Sequence, residues 1–326
     1  MKALLRSLVL CGALLAAACG PGGPGEPGGP GEAGGIRGEW RSVSVPAPEG
    51  YDFADVDGSS KDNVWLVGRG VFHWDGNQVR EQARWTNTAV RLVAVAGPND
   101  VYVVPSASKE LHHFDGSAWT KVATLVDSNP IYDIFLAGSQ LWARSYDKLY
   151  RLDGAAFTLV PFTSRVERAA ALGPDDIWVS SDRTVHRWKG GQWSQVFSAT
   201  RTVLELRPFS ANDVWVRIKE TSVARAGRWD GTAFKEFDPG VDMGMVSPTD
   251  LDAMWGSSSN DLWFSRAYHE GTDIDTVPST EFIHWNGSRF SKVRVNEPFS
   301  ARAAWGTGPG DVWFVGSPKK VFRFGP

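Results

Sequence analysis

Two histidines and a carboxylate fall within four residues in the stretch LHHFDGSAWTKV (111–122), at His112, His113 and Asp115. Imidazoles and carboxylates ligate zinc and pass protons, so this segment could hold a metal or relay a proton. A second group of ionisable and aromatic residues gathers further along, with Arg217, Lys219, Asp238, Asp242, Asp250, Asp252, Tyr268, His269, Glu270, Asp273 and Asp275. Facing carboxylates at set separations can hydrolyse glycosidic bonds. Asp273 and Asp275 could also hold a hard cation such as calcium. The elements that carry these residues decide which of them are chemistry and which are architecture.

Those elements repeat. A turn followed by an apolar strand recurs seven times: KDNVWLVG (61–68), PNDVYVV, GSQLWAR, PDDIWVS, ANDVWVR, SNDLWFS and PGDVWFVG (309–316). Its central aromatics are Trp65, Tyr102, Trp142, Trp178, Trp215, Trp263 and Trp313. Each copy continues into a strand that closes in a tight turn: VFHWDG, LHHFDG, LYRLDG, VHRWKG, AGRWDG, FIHWNG and VFRFGP. A further apolar stretch precedes each copy, and an aromatic strand follows most of the turns. Asp-Gly and Asn-Gly favour two-residue hairpin turns, in which both positions take positive φ. Four short antiparallel strands per unit, repeated seven times, predict an all-β fold, a seven-bladed β-propeller. The last unit stops at Phe324-Gly325-Pro326, where its fourth strand should begin, while GEWRSVSV (38–45) reads as an orphan fourth strand. The N-terminal strand is therefore expected to complete the last blade, with Trp40 standing where Trp119 stands in its own blade.

The repeat reinterprets the histidines. His73, His113, Arg151, Arg187, Arg228, His284 and Arg323 share one position, and a catalytic group is needed only once. Five copies start the neighbouring strand with Asp100, Asp176, Asp213, Asp261 or Asp311, so cross-strand pairs are expected with His113, Arg187, Arg228, His284 and Arg323 respectively. Blade one offers Asp62 or Asn63 to His73, and blade three offers Gln140 to Arg151. His112 aligns with Phe72, Tyr150, His186, Ile283 and Phe322, a mostly aromatic slot that predicts an imidazole packed between blades.

The N-terminus points to export. Residues 1–18 carry Lys2 and Arg6 and then an apolar run too short to span a bilayer, ending in small residues before Cys19. Leu15-Ala16-Ala17-Ala18-Cys19 resembles a bacterial lipobox, which implies lipidation at Cys19, although Ala16 stands where leucine is usual; an ordinary signal cleaved after Ala18 is the alternative. Cys11 would leave with the signal, so no thiol would remain for a disulfide, zinc or catalysis. The Gly/Pro-rich stretch within 19–36 reads as a disordered tether, and 37–326 as the propeller. Formal net charge is −3, or −5 without Lys2 and Arg6, and nothing in it indicates nucleic-acid binding. The DVW and WDG repeats over 38–326 resemble the propeller lipoproteins of myxobacteria and other bacteria. That resemblance implies a cell-envelope location, periplasmic or surface-exposed, at the outer membrane or elsewhere in the envelope. It implies membrane contact through the lipid anchor only, and no particular activity.

Function is expected where the repeat breaks. From the strand-two aromatic to the residue before the turn, blades five and six span 14 and 22 positions, against 9 to 12 elsewhere. The connector between them is also long. The three outliers, near 217–226, 238–251 and 265–281, should share one face of the ring, where variable loops on a rigid scaffold bind partners. The ligand-binding candidates are Arg217, Lys219, Asp242, Asp250, Asp252, Tyr268, His269, Glu270 and Arg302. Asp252 and Arg302 enter because, with the innermost strands aligned on their terminal Gly, they match each other where other blades mostly carry Ala, Val, Ile or Leu. They could orient a polar ligand or neutralise each other across two blades. The reading is a monomeric binding or scaffold module for an envelope protein or glycan, with no cofactor, catalytic residue or committed metal site. A glycoside hydrolase or lyase using Asp250, Asp252, Glu270, Asp273 and Asp275 is the alternative.

Overall fold

The computed structural model describes residues 32–33, 36–48, 50–219, 225–237, 251–268 and 279–325. After a two-residue ladder joining Glu32–Ala33 to Ile36–Arg37, these residues form seven four-stranded antiparallel sheets, six of which pair their strands in chain order. The seventh takes its outermost strand, Glu39–Ser42, from the N-terminus, where it lies against Lys320–Gly325. The fold is a seven-bladed β-propeller closed by its N-terminal strand, and Trp40 opposes Phe324 as Trp119 opposes Phe114.

The innermost strands are Asp55–Ser60, Val90–Gly97, Asp133–Ala137, Arg168–Gly173, Val203–Ser210, Ala253–Ser258 and Ser300–Gly308. Successive ones adjoin around the channel. The repeated Trp at the centre of each second strand points into the following blade. Trp65 packs on Val93, Val95, Val101 and Val103 of blade two, and Trp313 packs on Val56, Val64 and Leu66 of blade one. All six of these tryptophans are under 2% exposed, so each contributes on the order of 3 kcal/mol of apolar burial at a blade seam. Tyr102, the one tyrosine in the series, is only half-buried.

The turns differ from the expectation. Pairing of Phe114 with Trp119 leaves four residues, 115–118, in the turn, and blades one, five and six do the same. Asp115 Oδ1 accepts the Ser117 hydroxyl (2.7 Å) and the backbone N–H of Ala118 (2.9 Å) and Ser117 (2.8 Å), which together hold its carboxyl down to about 2. The carboxylate thus replaces a backbone acceptor and spans a wider turn than a two-residue hairpin. Gly116, at φ 94°, lies so close to Asn99 that a Cβ would come within 2.6 Å of its side chain. Gly231 and Gly287 sit on Asn212 and Asn260 in the same way. Blades three and four have the expected two-residue turns, 154–155 and 190–191, and in blade four both positions, Gly190 and Gly191, take positive φ.

Candidate binding face and channel

The repeated basic position is structural. Nε2 of His113 lies 2.8 Å from Asp100, and Nε2 of His284 lies 2.7 Å from Asp261. Arg187 is bidentate on Asp176, and Arg228 binds Asp213 with both Nε (2.9 Å) and Nη2 (3.0 Å). Arg323 donates to Asp311 at 2.8 Å. His73 meets Asn63 at 2.7 Å. Blade three departs from the pattern, because Gln140 donates its amide to the Leu152 carbonyl and Arg151 turns to Asp153, 2.8 Å away. In the other six blades the basic group also lies over the repeated aromatic, as His113 does over Tyr102 at 4.6 Å and Arg323 over Trp313 at 4.9 Å. His112 meets the edge of Trp85 (5.6 Å) from the preceding connector, as His186 meets Phe162 (5.0 Å). Among the described residues no group of three or more His, Cys, Asp or Glu could hold a metal ion.

On the face of the 2–3 loops and connectors, the structure brings together Arg217 from the end of a blade-five strand and Leu251-Asp252 from the entry to blade six. The Arg217 guanidinium donates to the Leu251 carbonyl and to Glu205 Oε2 (3.1 Å). Burial pushes the Glu205 carboxyl up against the pull of Arg217. Asp252 is raised to about 6 by burial, with Arg217 and backbone N–H groups of Ala301 and Ala267 opposing. Its Oδ2 is buried with no hydrogen-bond partner among the described residues. Arg302 does not pair with Asp252; it binds Asp52 at 2.8 Å, tying blade seven to the segment that enters blade one. Lys219 lies at the end of the described part of the blade-five loop, its N–H bonded to the Thr202 carbonyl. Of the remaining candidates, Asp238, Asp242, Asp250, His269, Glu270, Asp273, Asp275 and Cys19 lie outside the described residues, as does the side chain of Tyr268.

The channel wall corrects the alignment used for Asp252 and Arg302. Gly256 and Gly306 pair with Leu262 and Val312, whereas Gly97 and Gly173 pair with Asp100 and Asp176. Alignment on terminal glycines is therefore two residues out. Gly58, Gly256 and Gly306 are small for another reason: a Cβ on each would strike Trp305, Phe209 or Trp255, respectively, from the preceding blade. In the observed register, the residue two before the one facing the repeated aromatic is Asp55, Asp133, Arg168 and Glu205 in blades one, three, four and five. At the next tier stand Asp57 and Arg207. These inward charges were missed, although DVDG, YDIF, RAAA and LELR show them once the second strands set the register.

The inward charges hold neighbouring blades. Asp55 accepts the N–H of Val93 (3.0 Å) and Asp57 that of Val95 (2.7 Å), so blade one satisfies the edge of blade two. Arg168 donates to Leu204 O, and Arg207 to Gly256 O (2.8 Å). Burial raises Asp57 to about 7 and Asp55 well above the carboxylate range, while Asp133 is raised with Arg144 3.8 Å away.

On the loop face Tyr132 and Tyr146 are exposed and meet edge to face at 6.4 Å, with Arg165 4.3 Å over the Tyr146 ring. The arrangement offers aromatic and mixed-charge recognition around a polar channel mouth.

No protein-family profile matches the chain, and no curated protein matches it in sequence. Solved propellers do match in shape. YCF48 bound to D1 peptide superposes with a TM-score of 0.65 at 12% identity, over 88% of this chain and 97% of that one. The WD40 propeller domain of Doa1 gives 0.64 at 12% identity, over 87% and 96%. A catalytically inactive virginiamycin B lyase from Staphylococcus aureus with quinupristin gives 0.65 at 12%, over 89% and 100%. At these identities the likeness is one of fold.

Proposed function

We propose that this chain is a lipid-anchored binding or scaffold module of the cell envelope that engages a protein or glycan through the loop face at blades five and six. One observation carries the reading. The strand ends from which the three long segments depart, at Ile218, Phe237 and Tyr268, and the ends to which they return all border one face, and two of these ends are bonded through Arg217 and Leu251. Exposed Tyr132 and Tyr146 extend that face, and aromatic side chains are enriched where proteins bind. A propeller of similar shape is known with a bound peptide, which favours a protein segment as the occupant. Binding, rather than turnover, is the proposed activity. Among the described residues Asp252 is the one hydrolase candidate, and the charge that acts on it there is the Arg217 guanidinium.

The test is to purify residues 36–326 and screen them against envelope extracts and glycans, beside a form whose blade-five and blade-six 2–3 loops are replaced by the short loop of blade four. Capture of a partner that the loop-swapped form loses, with thermal unfolding unchanged, supports the proposal. Equal capture by both forms excludes this face. Replacement of Cys19 by alanine should move the full chain from the membrane to the soluble fraction.

A further inference from the structure

At the opposite mouth of the channel, on the side of the short turns, lies a cavity of about 380 Å³ whose wall includes Arg207, Phe209, Trp255, Ser257 and Thr307. Arg207 is the one charged group on that wall. Its Nε donates to the Gly256 carbonyl at 2.8 Å, and its guanidinium lies 5.2 Å from the Trp255 ring and 5.9 Å from the Phe209 ring. These contacts fix the side chain and leave Nη1 and Nη2 without a hydrogen-bond partner among the described residues. Among the described residues no carboxylate comes within ion-pair distance of it. Glu205 is engaged by Arg217 (3.1 Å), and Asp57 accepts the N–H groups of Val95 and Gly58. Behind the wall, Asp261 is bound by His284 and Ser257, and Asp311 by Arg323 and Thr307. Burial draws the Arg207 pKa down to about 10 against the pull of the nearby Glu205 and Asp57 carboxylates, so the group stays charged at neutral pH with neither carboxylate bonded to it.

A fixed guanidinium with two free coplanar N–H groups matches the two oxygens of a carboxylate. The walls beside it, Phe209 and Trp255, suit an apolar body, and the volume is at the small end for ligand sites. We infer that this turn-side mouth is a second binding site, for a small carboxylate carried on an apolar group. It is separate from the loop face and stands or falls independently of it.

The test is calorimetric titration of the full chain with benzoate, with benzyl alcohol as the uncharged counterpart. One saturable benzoate site is expected, weakened at least about tenfold by Arg207→Gln and partly recovered in Arg207→Lys, which keeps the charge but not the fork. Benzyl alcohol should bind at least about tenfold more weakly than benzoate. Because Arg207→Gln could fail to fold, the wild-type indole N–H resonance of Trp255, identified by its loss in Trp255→Phe, gives a second readout and should shift on adding benzoate. The inference is overturned by absence of saturable benzoate binding to folded protein, by benzyl alcohol binding equally well, or by undiminished binding to folded Arg207→Gln. A silent Trp255 resonance, or inorganic phosphate competing as strongly as benzoate, would also overturn it.

Discussion

The same cross-strand pair occurs at different depths, which makes its energetics testable within one molecule. In blade six the side chains of His284 and Asp261 are 1% and 8% exposed, whereas in blade two those of His113 and Asp100 are 22% and 48% exposed. Phenylalanine at either histidine keeps the ring over its aromatic neighbour, Trp263 at 4.4 Å or Tyr102 at 4.6 Å, and removes only the nitrogen. In His284→Phe the Asp261 carboxylate loses a 2.7 Å partner where water does not reach, keeping Ser257 at 2.5 Å. Leaving a buried carboxylate short of one hydrogen bond costs about 3 kcal/mol. In His113→Phe, water replaces the imidazole at Asp100, and the loss should stay below about 1 kcal/mol. Urea unfolding followed by tryptophan fluorescence measures both. Adding Asp261→Asn to His284→Phe should recover part of the loss by removing the stranded charge. Equal losses in the two blades, or a loss under 1 kcal/mol for His284→Phe, would refute burial as the source of the difference.

Three further outcomes follow from the channel and the closure. Asp57 is raised to about 7, so between pH 4 and 7 the folded chain holds a proton that the unfolded chain releases, and its contribution to stability is lost as pH rises through that window. Asp57→Asn should flatten that part of the decline in melting temperature, measured from pH 4 to 8. Gly306→Ala should cost about 2 kcal/mol because its Cβ would meet Asp311 O at 2.4 Å and the Trp255 ring at 3.0 Å, whereas Gly308→Ala, with open space around it, should be neutral by the same denaturant titration. Trp40→Ala should cost about 3 kcal/mol, because the indole stacks on Phe282 at 3.8 Å and meets Trp263 edge-on at 5.2 Å, joining blade seven to blade six; differential scanning calorimetry would register the loss.

The blades and their ion pairs were legible because both partners, such as Asp100 and His113, sit in short motifs whose strand register is fixed by the adjoining turn. Blade three escaped because Gln140 had a closer carbonyl in Leu152 and Arg151 a closer carboxylate in Asp153, a choice made by side-chain reach rather than by repeat position. The turns escaped because Asp115 acts through its carboxylate, not through its backbone conformation. The inward charges were hidden by aligning Gly256 and Gly306 with the strand-terminal Gly97 and Gly173, two residues out of register. The smallness of Gly256 and Gly306 answers to Phe209 and Trp255 in the preceding blades, contacts that no local pattern reveals. Asp252 and Arg302 could be read as neutralising each other across two blades, but Arg302 is paired with Asp52, which lies far away in sequence.

Closure by Glu39–Ser42 has a kinetic side as well. The strand that seals the ring is the first to be made, while its partner Lys320–Gly325 is the last, so the pairing of Trp40 with Phe324 spans nearly the whole chain. Contacts of such long range form slowly. Until the final residues emerge, the open edges of blades one and seven and the aromatic surface awaiting Trp40 are exposed together. A chain arrested before Lys320–Gly325 would present sticky sheet edges, so the hazardous interval in the life of this protein is its synthesis, before the ring has shut.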